Sequence, residues 1–191
     1  MLTTSKKLLT SILLLTGCGI DAMADTYTID ERHTFPGFEI SHLGFSTQRG
    51  RFDKTSGTVT LDTDKKTGTV QITIDAKSID TGLPALEDKL RSAEFFNTDQ
   101  YPTISYRSDI VEYAGEEPYK VRGELTLLGV TKPLTLTIDH YHCGLHPMYM
   151  KTVCGINATG LIKRSEFGMN SFLPMIGDDV KIVIQAEGFR Q

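Results

Sequence analysis

Between residues 119 and 139 apolar and polar positions alternate with a period of two. Tyr119, Val121, Leu125 and Leu127 fall on one side of an extended chain, and Lys120, Arg122, Glu124 and Thr126 on the other, because successive side chains of a strand point to opposite faces. After the break at Gly129 and Lys132-Pro133, Leu134, Leu136 and Ile138 alternate with Thr135, Thr137 and Asp139. The pattern predicts a hairpin of two half-buried strands. The same period recurs on either side. Phe38 and Ile40 share a face in residues 36–41, as do Val70, Ile72 and Ile74 in residues 69–76 after the polar turn 64–68. Ile104, Tyr106 and Ile110 alternate with Arg107 and Asp109, and Val180, Ile182, Ile184 and Ala186 line one side of a final strand over residues 179–189. Shorter stretches at 26–30 and 57–62, and a longer one at 149–162, complete a set of about eight strands.

Only residues 82–97 change period. Leu86, Leu90 and Ala93 stand at helical spacing with Glu87, Asp88, Lys89 and Arg91 between them, and β-branched residues are missing, which predicts one short amphipathic helix. Its Leu83, Leu86, Leu90, Phe95 and Phe96 are expected to cap an open apolar end of the sheet. The fold expected is therefore all-β: an eight-stranded antiparallel barrel with one helix. Barrels of that size either fill with side chains or hold one small ligand, and periodicity alone leaves both open.

Composition narrows the function classes. The 191 residues are 39% hydrophobic and 23% charged, with a formal net charge of -4, which fits an ordinary globular domain and no nucleic-acid partner, since Lys and Arg are nowhere clustered. Residues 1–24 read as a signal peptide: Lys6 and Lys7 precede an apolar run from Leu8 to Leu15, and Ala22-Met23-Ala24 offers small residues at alternate positions. The expected product is an exported, periplasmic domain spanning residues 25–191. Leu15-Thr16-Gly17-Cys18 resembles a lipobox, so acylation of Cys18 is the alternative, with a membrane-anchored lipoprotein as its result. Export leaves Cys143 and Cys154 in an oxidising compartment, where a pair is bridged more often than free. A hairpin centred between Met148 and Tyr149 sets them opposite each other. Strict alternation, however, gives Cys143 the face of Thr137 and Asp139, and Cys154 that of Ile156 and Ala158, a conflict that a bulge would remove.

Several blocks together point to a family. Tyr27-Thr28-Ile29-Asp30, Phe38-Glu39-Ile40-Ser41-His42-Leu43-Gly44 and Arg49-Gly50-Arg51-Phe52 are followed by Ser78-Ile79-Asp80-Thr81-Gly82 and Leu90-Arg91-Ser92-Ala93-Glu94-Phe95-Phe96. Tyr101-Pro102-Thr103-Ile104, the run from Leu125 to Pro133, Ala158-Thr159-Gly160 and the run from Arg164 to Met169 close the set. In this order and spacing they resemble the YceI-like family of exported polyisoprenoid-binding proteins. The resemblance implies a lipocalin-like barrel whose tunnel takes a long isoprenoid or fatty chain, such as a quinone tail or a polyprenyl carrier, with no cofactor.

Candidate wall residues for such a ligand are Phe38, Ile40, Ile72, Ile74, Ile104, Tyr106, Leu125, Leu127, Leu136, Ile138, Phe167, Met169, Phe172, Ile182 and Ile184. Met169, Phe172, Met175 and Ile176 form an apolar segment that either lines a tunnel or folds over the barrel end. His42, Arg164 and Asn170 are candidates for a polar head group. Their ordinary alternatives are a backbone-satisfied histidine and an arginine in a rim ion pair.

The stretch His140 to Cys154 departs from the family pattern. His140, His142, Cys143, His146, Met148, Met150 and Cys154 together would suit copper, particularly Cu(I), or zinc; the alternative is a disulfide hairpin with incidental histidines. No Gly-x-Ser-x-Gly elbow, Walker loop, dinucleotide fingerprint or His-Glu-x-x-His occurs, so a non-enzymatic binding protein is expected ahead of a lipid-modifying enzyme. Both a monomer and a homodimer paired through an edge strand fit the sequence.

Overall fold

The computed structural model describes residues 24–191. Residues 1–23 of the expected signal peptide, Cys18 among them, lie outside the described residues. Eleven strands form one antiparallel sheet: β1 (Asp25–Ile29), β2 (Phe35–His42), β3 (Ser46–Phe52), β4 (Thr55–Asp62), β5 (Thr67–Asp75), β6 (Ile79–Asp80), β7 (Thr103–Ala114), β8 (Glu117–Leu127), β9 (Val130–Leu145), β10 (Thr152–Lys163) and β11 (Ile176–Arg190). The order β1-β4-β5-β7-β8-β9-β10-β11 closes on itself through β1–β11, giving an eight-stranded barrel. β11 is long enough to serve two neighbours on one edge. Its last residues pair with β1, and residues 176–185 pair with β2, from which β3 and β6 branch as a flap.

The flap was not legible as such. Ser46-Thr47-Gln48-Arg49 contains no apolar residue, so β3 lacks the alternation that marks a half-buried strand, and β6 has only two residues. The helix, α1 (Pro84–Arg91), begins with Pro84, whose missing N–H costs nothing in the first turn. Arg91 fastens α1 to the flap by donating from Nε to the carbonyl of Lys77 (3.0 Å) and from Nη2 to that of Ile79 (3.0 Å). α1 has no buried residue, because its apolar face looks into the hollow of the barrel.

Three bulges shift the alternation. One extra residue in β7 between Arg107 and Ile110 turns Ile110 outward, half exposed, and brings Val111 inside. The Ser108 hydroxyl serves the kinked backbone there, donating to the carbonyl of Arg122 (2.6 Å) and accepting the amide of Ile110 (3.0 Å). In β8 Tyr119 is the unpaired residue: Pro118 faces inward and Tyr119 outward, donating to Glu112 Oε2 (2.7 Å). Simple alternation had assigned both Ile110 and Tyr119 to the inner face. Each bulge costs one ladder position and re-aims every residue beyond it.

The third bulge, at Asp139 in β9, resolves the cysteine conflict. Asn157 pairs with His140 but Ala158 pairs with Ile138, so Asp139 is the extra residue and Tyr141 and Cys143 move to the inner face. Cys143 then stands directly opposite Cys154, Cα atoms 4.1 Å apart, in a disulfide. Replacing both cysteines by serine is expected to cost about 2–3 kcal/mol, since the bridge closes a short loop, and to lower the melting midpoint by roughly 5–10 °C. An unchanged midpoint in a thermal melt, with and without reductant, would show that the bridge carries no stability.

Candidate functional site

The barrel is hollow. A cavity of about 580 Å³ runs along its axis, with walls that are almost wholly carbon. Inward positions of the closed strands supply its length: Ile72 and Ile74 from β5, Ile104 and Tyr106 from β7, Leu125 and Leu127 from β8, Leu136 and Ile138 from β9, and Ile182 and Ile184 from β11. At the end where β2, β3 and α1 converge, the wall continues through Phe38, Ile40, Leu86, Leu90, Phe95 and Phe96. Leu83, which also lines it, is 56% exposed, so the hollow reaches the surface beside α1. Phe52 and Phe96 pack edge to face there, and Phe38 packs on both at a tilt, centroids 5.4–6.4 Å apart. At the far end Tyr27, Tyr141 and Cys154 bound it.

Polar groups in the wall are few and nearly all are committed. Tyr106 donates its hydroxyl to the carbonyl of Leu134 (3.0 Å), with that of Val121 at 3.2 Å, and burial pushes the phenol far above its ordinary pKa. Its ring needs a glycine opposite: a Cβ on Gly123 would stand 2.7 Å from Tyr106 Cζ and 2.3 Å from the carbonyl of Arg107. Tyr106→Phe is expected to cost about 1–2 kcal/mol, the worth of one buried hydrogen bond, while the protein still folds and keeps its ligand. A chemical denaturation midpoint identical to wild type would contradict that assignment. Burial likewise pushes the Tyr141 phenol up to about 12, and its hydroxyl lies 3.0 Å from Cys143 Sγ.

Arg164 borders the cavity, but its guanidinium is engaged with backbone. Nε donates to the carbonyl of Gly177 (2.8 Å), Nη1 to Met169 (2.8 Å) and Nη2 to Ile176 (3.0 Å). Burial lowers its pKa and the Asp178 carboxylate opposes that fall. It is neither an ion-paired rim residue nor a free ligand clamp; it holds the segment after β10 against the start of β11. His42 stands half-buried in the wall near the surface.

Two expected wall residues, Phe167 and Phe172, and the head-group candidate Asn170 are elsewhere. Phe167 is fully buried in the core cluster behind the wall, in the 3-10 turn Arg164–Phe167. Gly168 ends that turn in the left-handed conformation, and the chain then turns away. Asn170 is exposed and donates to the carbonyl of Gly168 (3.3 Å). Phe172, 46% exposed, stacks on Phe95 from outside, centroids 6.0 Å apart. The segment thus does both things expected of it: Met169 and Ile176 line the cavity while Phe172 and Met175 lie on the rim.

One wall residue had no sequence signal. Thr55 Oγ1, at the start of β4, is the only buried side-chain polar atom without a hydrogen-bond partner among the described residues, and Thr55 lines the cavity. Val59, Leu61, Val70 and Val121 are visible as alternating residues, and Val111 needs the bulge in β7 to be placed.

The YceI-like domain matches residues 27–188. The chain belongs to the YceI-like family. Protein YceI of Salmonella arizonae is 37% identical over 186 residues, covering 96% of this chain and 95% of its own. Among solved structures, BcnA of Burkholderia cenocepacia superposes with a TM-score of 0.70 at 24% identity, over 83% of this chain and 98% of its own. A polyisoprenoid binding domain from Saccharophagus degradans superposes with a TM-score of 0.64 at 20% identity, over 86% and 98%. At these identities the two structures share the fold with this chain.

Proposed function

We propose that this protein holds a long-chain isoprenoid or related amphiphilic lipid, a polyprenyl carrier or a quinone, inside the barrel, and acts without catalysis as a periplasmic carrier or sequestering protein. The observation that carries the reading is the hollow itself: about 580 Å³ of almost purely apolar space reaching the surface beside α1. That volume lies within the roughly 300–1,000 Å³ of small-molecule sites. Each buried CH₂ is worth about 0.8 kcal/mol, so a five-carbon isoprene unit contributes about 4 kcal/mol. About four units then outweigh even a ~15 kcal/mol cost of association. Few polar contacts are needed. The unpartnered Thr55 hydroxyl supports a ligand with a hydrogen-bonding group, because an orphaned buried hydroxyl costs about 1–3 kcal/mol. The shared fold of the polyisoprenoid binding domain from Saccharophagus degradans supports the ligand class.

The signal-peptide pattern of residues 1–24 supports export, and the bridged cysteines suit an oxidising compartment. The intact mass of the mature chain distinguishes an amino terminus at Asp25 from an acylated Cys18. Mass spectrometry of an organic extract of the purified protein tests the ligand. A retained isoprenoid or fatty chain is the expected result. An empty extract from protein that also fails to bind added ubiquinone or polyprenol would overturn the reading.

A further inference from the structure

A second recess, of about 530 Å³, lies on the outer side of the wall over β9, β10 and β11. Four of the chain's five histidines line it: His33, His140, His142 and His146, together with Glu187. His33 comes from the opposite end of the chain, carried there by the 30–34 turn that joins β1 to β2 across β11. The backbone fixes this turn, with the amide of Asp30 donating to the carbonyl of Glu187 (2.8 Å) and Thr34 Oγ1 donating to the same carbonyl (3.2 Å).

His142, Gly155 and Glu187 form one row across the three strands. Two strand spacings separate the ends of that row by roughly 10 Å, a span that an imidazole and a glutamate can close on a shared ion. Between them Gly155 presents no side chain; a Cβ there would stand 3.6 Å from Glu187 Cγ. Asp30, His33 and Glu187 each offer a ligand atom, and these lie within 4.8 Å of one another. The buried Asp30 carboxylate takes His33 Nδ1 at 2.8 Å, which leaves Nε2 for a ligand, the arrangement by which a carboxylate orients a metal-bound histidine. Asp30 is also held by the exposed Arg32 (3.3 Å). The half-buried Glu187 carboxylate and the His140 and His142 rings have no hydrogen-bond or ion-pair partner among the described residues.

We propose that this recess binds a divalent transition-metal ion of the zinc or copper(II) class through His33, His142 and Glu187, with Asp30 as the positioning carboxylate. This replaces the soft site expected from the sequence. Cys143 and Cys154 are bridged and offer no thiolate, and Met148 and Met150 are exposed on the turn outside the recess. What remains is imidazole and carboxylate, a donor set for zinc or copper(II) in preference to Cu(I). His146 shapes the turn: its Nδ1 accepts the amide of Met148 (3.2 Å), and its ring packs on Tyr149 and Phe189.

The test is calorimetric titration of untagged, chelator-treated protein with zinc or copper(II) ions alone, alongside thermal melts with and without the ion. One ion per chain is expected, with a higher melting midpoint when it is bound. Asp30→Asn is expected to weaken binding by about tenfold or more. His33→Ala, His142→Ala and Glu187→Gln are expected to weaken it further, and His146→Ala to leave the one-ion stoichiometry in place. His142 is on an exposed strand face, so its variant should fold whatever happens to the Asp30 turn. Absence of stoichiometric uptake of either ion, or wild-type affinity in a folded His33→Ala/His142→Ala double variant, would overturn the proposal. Neither outcome bears on the lipid, whose retention is read in a separate extract.

Discussion

Protein carrying Leu136→Glu is expected to yield an organic extract without the long-chain lipid expected in that of the wild type. Leu136 is buried on the inner face of β9, part-way along the cavity, and glutamate has nearly its length, so the wall gains a carboxylate without gaining much bulk. An ionised carboxylate facing dry hydrocarbon is costly by several kcal/mol; water or a proton must accompany it, and either displaces lipid. Keeping only about five ligand carbons from the wall removes about 4 kcal/mol, near a thousandfold in affinity. The hollow makes the experiment readable, because a solvated carboxylate has room there that a filled core would not give it. Circular dichroism should report a folded barrel. A folded variant with undiminished lipid content would mean that the ligand does not occupy this part of the barrel.

The second large effect is on stability. Arg164→Leu leaves the carbonyls of Met169, Ile176 and Gly177 without their shared donor. At about 1–3 kcal/mol for each stranded buried group, relieved in part by water, the loss should be about 3–5 kcal/mol, or a melting midpoint lower by roughly 10–15 °C. Arg164→Lys should recover only part of this, because an ammonium cannot reproduce the planar fork that meets three carbonyls. A fall of only one or two degrees in scanning calorimetry would remove the anchor role. The same corner has a predictable acid response. The Ser165 amide and hydroxyl, each 2.9 Å from Asp178, hold that carboxyl below its ordinary pKa although burial works the other way. A depressed folded pKa means that the stabilisation is present above the unfolded carboxyl pKa and is lost as pH falls through the folded value. Asp178→Asn should therefore lower stability at neutral pH, where that contribution is present, and flatten part of the acid limb of the stability curve.

The sequence pattern carried the barrel because most strands have one wet and one dry side. Ile72, Ile74, Leu125, Leu127, Ile182 and Ile184 follow a period of two with no interruption near them, and all face the hollow. Legibility failed where the period slips by one. Ile110 and Tyr119 were assigned inward because nothing in residues 107–120 announces an unpaired residue; the Ser108 hydroxyl that stabilises one bulge is a signal of a kind, but an ordinary one. It failed again where no side is dry, as in β3, whose Ser46 to Arg49 pair with β2 through backbone and the Arg49–Glu39 ion pair. The emptiness of the interior was not legible at all. Whether inward leucines touch one another or stop short depends on barrel geometry, and the family resemblance, not the pattern, pointed to a space. The recess of histidines is half visible: His140 and His142 stand two apart, but only the pairing of β10 with β11 brings Glu187 to them, and only the turn of residues 30–34 brings His33.

The hollow also changes what evolution can do with this chain. A leucine in a filled core is gripped on every side, so trimming it to alanine opens a void and costs several kcal/mol; here Leu125 or Ile182 already borders empty space, and the neighbours that would be lost on that side are not there. Trading one aliphatic for another along the inner staves should therefore alter which tail fits far more than whether the protein folds. Ligand preference can drift among descendants that keep the same frame.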